Sequence, residues 1–306
     1  MKKRKRVVIL GSINVDIILQ LARLPKPGET MKLQGFETAG GGKGANQAIA
    51  AARSSADVHF IGRVGADQYG KQMLSLLQEN DVNSEHVKID ADKPTGQAYI
   101  LLQQSGENSI LVNSGANAFI QKEDVENARQ LIEGADVVVA QFEVPIPRII
   151  EAFEIARQAG VSTILNPAPA LKVPDELLEL TDLITPNEVE AEMLTDIHVD
   201  SKTAQRRAAE KLKAKGAKNV LLTLGSEGAY YLTEADQEES VAAFKVEVAD
   251  TTGAGDTFIG CLAAKLAPDF TNIAQAVRYA TKASSLTVQK IGAIPSIPTE
   301  KEILAK

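Results

Sequence analysis

Ten residues near the C-terminal end combine small side chains with one well-placed acid: Ala249-Asp250-Thr251-Thr252-Gly253-Ala254-Gly255-Asp256-Thr257-Phe258. Gly253, Ala254 and Gly255 carry little or no side chain, so a ligand can lie directly against their backbone. A strand-like run over 244–248 leads into this turn, and an apolar helix pattern leaves it from Phe258 onward. The unpaired N–H groups at the start of that helix face the same space and favour an anion. Asp256 sits in the mouth as a carboxylate base. A cradle for negative charge beside a proton acceptor suits transfer of a phosphoryl group to a hydroxyl. Taken alone, these residues also describe a glycine-rich loop with a capping aspartate. A second motif, far upstream, raises the odds of the chemical reading.

That motif joins Gly11-Ser12-Ile13-Asn14-Val15-Asp16 to Gly40-Gly41-Gly42-Lys43-Gly44-Ala45-Asn46-Gln47-Ala48. The first segment is expected to end strand one with Asn14 and Asp16, and in open parallel sheets ligands gather where strands end. A carboxylate there accepts hydrogen bonds from two vicinal hydroxyls, and an Asn both donates and accepts. Gly42 permits close backbone approach, while Lys43 and Asn46 flank the start of a helix. One donor-only cation among amides and carboxylates describes a sugar pocket. Local alternatives stay open: Asp16 as a turn carboxylate bonding its own backbone, and Lys43 as a solvated helix end. A Walker A loop is excluded, because Gly44 follows Lys43 where Ser or Thr is required. No GxGxxG opens a helix, which disfavours a dinucleotide fold.

Something must hold two motifs more than 200 residues apart in one place. Apolar runs over 7–10, 58–61, 137–140, 161–165, 183–185 and 220–224 read as strands. Amphipathic stretches over 45–52, 70–77, 123–132, 149–159 and 203–215 alternate with them as helices. The pattern predicts an α/β protein of three layers, a mostly parallel central sheet with helices on both faces. Two stretches, 17–37 and 95–112, break the rhythm with β-like segments (17–20, 30–33, 97–103, 109–112) and turn residues such as Pro25, Pro27, Gly28, Gly106 and Asn108. They are expected to form one small projecting β-sheet that serves as a lid, on a single domain spanning 1–306.

Bulk composition bounds the class. The chain has 306 residues, 44% hydrophobic and 24% charged, which suits a soluble globular protein. A net charge of −7 gives no overall footprint for nucleic acid. No apolar run approaches a membrane span, and the four apolar residues behind the basic start at 1–6 are too few for a signal segment. That start reads as a solvated flank on the first strand. The single cysteine, Cys261, reads as a small core residue, and a cytoplasmic location is expected.

The two glycine-rich motifs together resemble the ribokinase-type carbohydrate kinases. The likeness extends through Ser114-Gly115-Ala116-Asn117-Ala118, Asn166-Pro167-Ala168-Pro169-Ala170, Pro186-Asn187-Glu188-Val189-Glu190 and Thr223-Leu224-Gly225-Ser226-Glu227-Gly228, and so covers nearly the whole chain. The resemblance implies Asp256 as general base, with the amides of Ala254, Gly255 and Asp256 beyond Gly253 holding developing charge. Asn14, Asp16, Gly42, Lys43, Asn46 and Glu143 would bind the sugar together with Asp256. Asn187, Thr223, Gly225, Ser226, Gly228, Gly255 and Thr281 would bind ATP, and Thr281 stands where an Asn is expected near the adenine. Asn187 and Glu190 match an Asn-x-x-Glu motif tied to Mg²⁺ and phosphate, with Glu190 acting through water. Asp250, Thr252, Thr287, Lys290, Gly292 and Ser296 would hold K⁺, largely by backbone carbonyls. Family members also pair through the projecting sheet, so a homodimer is expected.

The acceptor follows from the pocket. Asn14, Asp16, Lys43, Asn46 and Glu143 offer no surface for a nucleobase to stack on, which favours a compact polyhydroxylated sugar. D-ribose phosphorylated at its 5-hydroxyl by ATP is the first choice, 2-deoxyribose the rival, and fructose or another sugar less favoured. A non-catalytic sugar or nucleotide sensor is the reading from another class, but the Asp256 turn is intact. A hydrolase is disfavoured because His59, His86 and His198 show no metal-ligand spacing.

Overall fold

A computed structural model describes residues 4–305. Its strands are β1 (Arg6–Leu10), β2 (Asn14–Leu21), β3 (Gly35–Gly41), β4 (Asp57–Gly65), β5 (Val82–Asp90), β6 (Gly96–Gln103), β7 (Asn108–Asn113), β8 (Val137–Gln141), β9 (Ser162–Asn166), β10 (Leu183–Ile184), β11 (Asn219–Thr223), β12 (Ala229–Leu232) and β13 (Glu238–Val241). Helices of eight residues or more are α1 (Lys43–Arg53), α2 (Gln68–Glu79), α3 (Ile146–Gln158), α4 (Glu188–Thr195), α5 (Lys202–Ala214), α6 (Ala254–Lys265) and α7 (Ile273–Thr287).

Side-chain alternation along β1 explains the layering. Val7 and Ile9 enter one core, Val8 and Leu10 the other, and all four are fully buried. A strand covered on both faces reads as an unbroken apolar run, which is why it was legible. The first core takes Ile49 from α1, Met73 from α2, Phe258 from α6 and Val277 from α7. The second takes Phe153 from α3, Leu194 from α4 and Leu212 from α5. Between them runs a nine-stranded sheet in the order β13-β12-β11-β10-β9-β8-β1-β4-β5, parallel except for the antiparallel pairings of β12 with β11 and β13. The three-layer architecture is as expected.

A separate four-stranded sheet has the order β3-β2-β6-β7, with β2 and β6 parallel and the outer strands antiparallel. Several local expectations need correction. Asn14 and Asp16 do not end strand one, which stops at Leu10; they are the first and third residues of β2, on the small sheet. The strand expected over 30–33 is irregular, and the partner of β2 is β3, whose glycines disguise it. No strand forms over 244–248, where Phe244 and Val248 stand 47% and 61% exposed with no sheet face to cover them. The helix expected over 123–132 breaks at Ala128 into two short pieces. Strands β5, β12 and β13 were not anticipated. Residues 1–3 of the basic flank lie outside the described residues, and Lys5 is not solvated but donates to the Leu266 carbonyl. Among the described residues no helix is long and apolar enough to cross a membrane.

Candidate active site

The chain crosses from the main sheet to the small one at Gly11-Ser12-Ile13, and α1 begins against this crossing. Gly44 is required there: a Cβ would lie 2.6 Å from the Ser12 amide nitrogen. Glu143, just past β8, accepts from the Lys43 amide at 3.0 Å and from the Ser12 hydroxyl. Ser12 in turn takes the Gly44 amide on its hydroxyl and the Ala45 amide on its carbonyl. The first amides of α1 are therefore spent on the protein itself, and Glu143 is held rather than solvated.

The start of α6 is different. Gly253 takes a left-handed conformation (φ 74°) with no side-chain cap. The Ala254 amide donates to the Thr251 carbonyl at 3.2 Å, which narrows the expected three-amide cradle. Among the described residues the amides of Gly255 and Asp256 have no backbone acceptor, and Gly255 faces open space. Two unpaired N–H groups at the positive end of a helix remain for an anion.

Asp256 lies one residue beyond, between the two motifs. Its Oδ2 accepts from Asn46 Nδ2 at 2.9 Å and its Oδ1 from Gln47 Nε2 at 3.0 Å. Burial raises its pKa, against the opposing pull of the Lys43 charge and these two amides. Burial lowers the Lys43 pKa, but Asp256, Glu143 and Glu190 outweigh it and leave the ammonium firmly charged. Among the described residues Asn46 Oδ1 is buried without a hydrogen-bond partner, an acceptor left open beside Asp256. Such an orphan normally signals a missing donor.

On β2, Asn14 is fixed: its Oδ1 accepts from Asn117 Nδ2 at 2.8 Å, and Asn117 also clamps both backbone groups of Ile13. Asp16 lies against Gly41, where a Cβ would come within 2.5 Å of its oxygens. Burial, then the charges of Glu143 and Asp256, push its pKa up to about 6, and no donor relieves it among the described residues. A cleft of about 470 Å³, lined by Asn14 and Val112 of the small sheet and by Asn117, Phe142 and Glu143, opens beside Asn14. Sugar hydroxyls would supply the donors that Asp16 and Asn46 lack.

The Asn-x-x-Glu pair opens α4. Asn187 caps the helix by accepting from the Glu190 amide at 2.8 Å, and its amide and side-chain nitrogen both donate to the Glu190 carboxylate. Glu190 is 6% exposed, so it is not a surface residue. Its pKa is raised by burial, against the Asn187 amide and Lys43. Asn187 bridges to Thr223 at the end of β11, and the exposed turn with Gly225 and Ser226 follows. Gly228 has a structural reason to be glycine, since a Cβ would collide with the Val241 carbonyl. This segment is the hairpin turn between β11 and β12, while its exposed face remains free for a nucleotide. Thr281 is 5% exposed and its hydroxyl donates to the Val277 carbonyl within α7.

Of the expected K⁺ set, Asp250, Thr252 and Gly292 converge: Asp250 accepts from the amide and hydroxyl of Thr252 and, at 2.9 Å, from the Gly292 amide. These bonds hold the Asp250 pKa below its ordinary value despite burial. The hydroxyls of Thr287 and Ser296 bond inside the protein, to Thr257 and the Ala293 carbonyl, and the Lys290 ammonium reaches Glu302. What these residues leave toward a cation is their backbone carbonyls, of which that of Thr287 already accepts from the Lys290 amide at 3.1 Å.

Residues 4–300 match the pfkB family carbohydrate kinases. The chain belongs to that family. It is 48% identical to the ribokinase of Staphylococcus aureus over 299 residues, covering 97% of this chain and 98% of the relative. It is 47% identical to a bifunctional ribokinase/ribose-5-phosphate isomerase A of Fructilactobacillus sanfranciscensis, of which it spans 56%, with 98% of this chain covered. The structure of Arabidopsis thaliana ribokinase complexed with ribose and ATP superposes with a TM-score of 0.92 at 34% identity, covering 99% of this chain and 98% of that one.

Within this carbohydrate kinase, the structure also uses residues that sequence reasoning quoted without assigning. Ser12 caps α1, Asn117 locks Asn14, and Gln47 touches the Asp256 carboxylate. Each sits inside a quoted motif, which was the available signal. Gln141 lies at a strand end outside them and left none.

Proposed function

We propose that this carbohydrate kinase transfers the γ-phosphoryl group of ATP to the 5-hydroxyl of D-ribose, giving ribose 5-phosphate and ADP. The observation that carries the reading is Asp256: a carboxylate oriented by two amides, beside the unpaired acceptor of Asn46, at the mouth of a helix with two free N–H groups. Asp256 takes the proton as the sugar oxygen attacks in line, and the Gly255 and Asp256 amides receive the charge growing on the transferred group. Asp16, Asn14, Lys43, Asn46 and Glu143 bind and orient the sugar. Thr223, Gly225, Ser226 and Asn187 line the nucleotide.

Divalent and monovalent cations fit the donors present. Glu190, already held by Asn187, is one buried carboxylate facing Lys43, enough to steer Mg²⁺ through water because that ion keeps most of its hydration. Asp250 ties 250–252 to Gly292, so carbonyls of both segments can surround K⁺. Bound there, the cations would neutralise phosphate charge. The small sheet of β2, β3, β6 and β7 acts as a lid that excludes water from the site of a single domain spanning 1–306. Phe36 and Leu111, exposed on one face of this sheet, support homodimer formation through it. A reaction that consumes ATP is consistent with the cytoplasm.

ADP release with D-ribose, 2-deoxyribose, fructose and adenosine, each with and without K⁺, tests the reading. Ribose turnover raised by K⁺ is expected. Turnover on another sugar alone overturns the substrate, and ATP binding with no turnover on any acceptor moves the protein to a sensor.

A further inference from the structure

Behind Asp256 runs a line of buried amides that the proposed reaction does not use. Gln47 on α1 is fully buried, and its Nε2 donates to Asp256 Oδ1 at 3.0 Å and to Asn166 Oδ1 at 3.1 Å. Gln141 Nε2 donates to Gln47 Oε1 at 2.7 Å. Gln141 and Asn166 end β8 and β9 and stand opposite each other in register. Asn166 Nδ2 then donates to the Thr185 carbonyl at 3.2 Å, two residues before Asn187.

Direction along this line is forced. An ionised carboxylate only accepts, so Gln47 must turn its nitrogen to Asp256. Its oxygen then faces Gln141, whose nitrogen fills it. A flipped Gln47 would set its oxygen against the oxygens of both Asp256 and Asn166, among buried side chains. We infer that Gln47 is a positioning residue for the base, locked by Gln141 and Asn166, and that this amide line fixes the plane of the Asp256 carboxylate toward the acceptor hydroxyl. The inference rests on the reading of Asp256 as base. Without Gln47 the carboxylate keeps one amide, from Asn46, and is free to swing, whereas proton transfer needs hydrogen-bond reach. Gln47 also favours the ionised base, as Lys43 does; Glu143, Asp16 and Glu190 disfavour it.

The test is steady-state kinetics with ribose and ATP from pH 5.5 to 8.5 on Gln47→Met, Gln47→Glu and Gln141→Met, beside Asp256→Asn. Gln47→Met is expected to lose about 10–100-fold in kcat with KM for both substrates within about 3-fold, and to move the acid limb of kcat to higher pH. Gln47→Glu keeps the shape but places a second carboxylate on the base, so its limb moves further the same way. Gln141→Met touches no reacting atom and should lose about 3–10-fold in kcat in the same direction. An unchanged kcat, a loss confined to KM, or an unmoved acid limb overturns the amide line when Asp256→Asn is inactive. A fully active Asp256→Asn overturns the base itself. Should Gln47→Met fail to fold, the isosteric Gln47→Glu and the remote Gln141→Met still decide.

Discussion

Replacing Asp16 with Asn sets stability against binding, and both signs follow from its surroundings. Burial, then the charges of Glu143 and Asp256, raise its pKa from 3.8 to about 6. Holding this group ionised in the fold, rather than in the unfolded chain, therefore costs roughly 3 kcal/mol at neutral pH, at 1.36 kcal/mol per unit. For a carboxyl with a raised pKa that cost is fully present above the folded value. It fades as pH falls through 6 toward 4, leaving about 1 kcal/mol at pH 4.5. Asn has nearly the same shape without the charge. Asp16→Asn should then stabilise the ligand-free protein by up to about 3 kcal/mol at pH 7.5 and up to about 1 kcal/mol at pH 4.5. The same change removes an acceptor for two hydroxyls, and hydrogen bonds to a charged group are worth about 1.5–3 kcal/mol each. Ribose affinity should fall by about 10²–10³-fold or more. Urea unfolding at the two pH values measures the first effect, and calorimetric titration of ribose the second. Equal stability changes at both pH values, or a variant destabilised at pH 7.5 that still binds ribose, would refute the reasoning.

Asp256→Asn should lower kcat by at least about 10²-fold while a fluorescent ATP analogue binds nearly as before, because the new amide keeps its oxygen on Gln47 and Asn46 can turn its unpaired Oδ1 to the new nitrogen. Gly44→Ala forces a Cβ to 2.6 Å from the Ser12 nitrogen and 2.7 Å from Gly11. Since all three nearest atoms are backbone, the collision cannot be relieved by a rotamer, so unfolding by urea should show a loss of at least about 2 kcal/mol. Ribose should slow proteolysis within 17–37, and a cleavage rate indifferent to ribose would count against closure of the small sheet.

How far the sequence was readable depended on the kind of signal. Strands buried on both faces, such as β1 and β8, are continuous apolar runs and were seen at once. Strand β3 reads Gly-Phe-Glu-Thr-Ala-Gly-Gly, and a strand built of glycines because Asp16 and Leu76 crowd it carries no propensity signal. The segment over 244–248 failed in the opposite sense, since Val and Phe suggest a strand while no neighbouring edge pairs with it. At the site, the two glycine-rich motifs announced themselves by residue type, and the structure brings Asp256, Asn46, Lys43 and Glu143 together. Placement in the elements was not legible, as Asn14 and Asp16 show. Whether a strand ends or a new one begins after Leu10 depends on Gly96, Asn117 and Gly42 closing around Asn14 from distant parts of the chain.

The excess of acid at the site has a chemical use. Glu143, Glu190 and Asp256 surround Lys43, Asp16 stands beside Glu143 and Asp256, and burial makes their mutual repulsion costly. A proton arriving on Asp256 relieves part of that repulsion, so the base takes it more readily than an isolated aspartate would. Crowding alone would protonate Asp256 before any substrate arrived. Lys43 and the amides of Asn46 and Gln47 oppose this by favouring the ionised form at rest. Base strength is thus set by two opposed groups of neighbours on different elements, the acids of β2, the β8 end and α4 against the donors of α1. On the proposed reading, that division explains why the two glycine-rich motifs meet: the start of α6 brings Asp256, and the start of α1 brings the donors that keep it ionised.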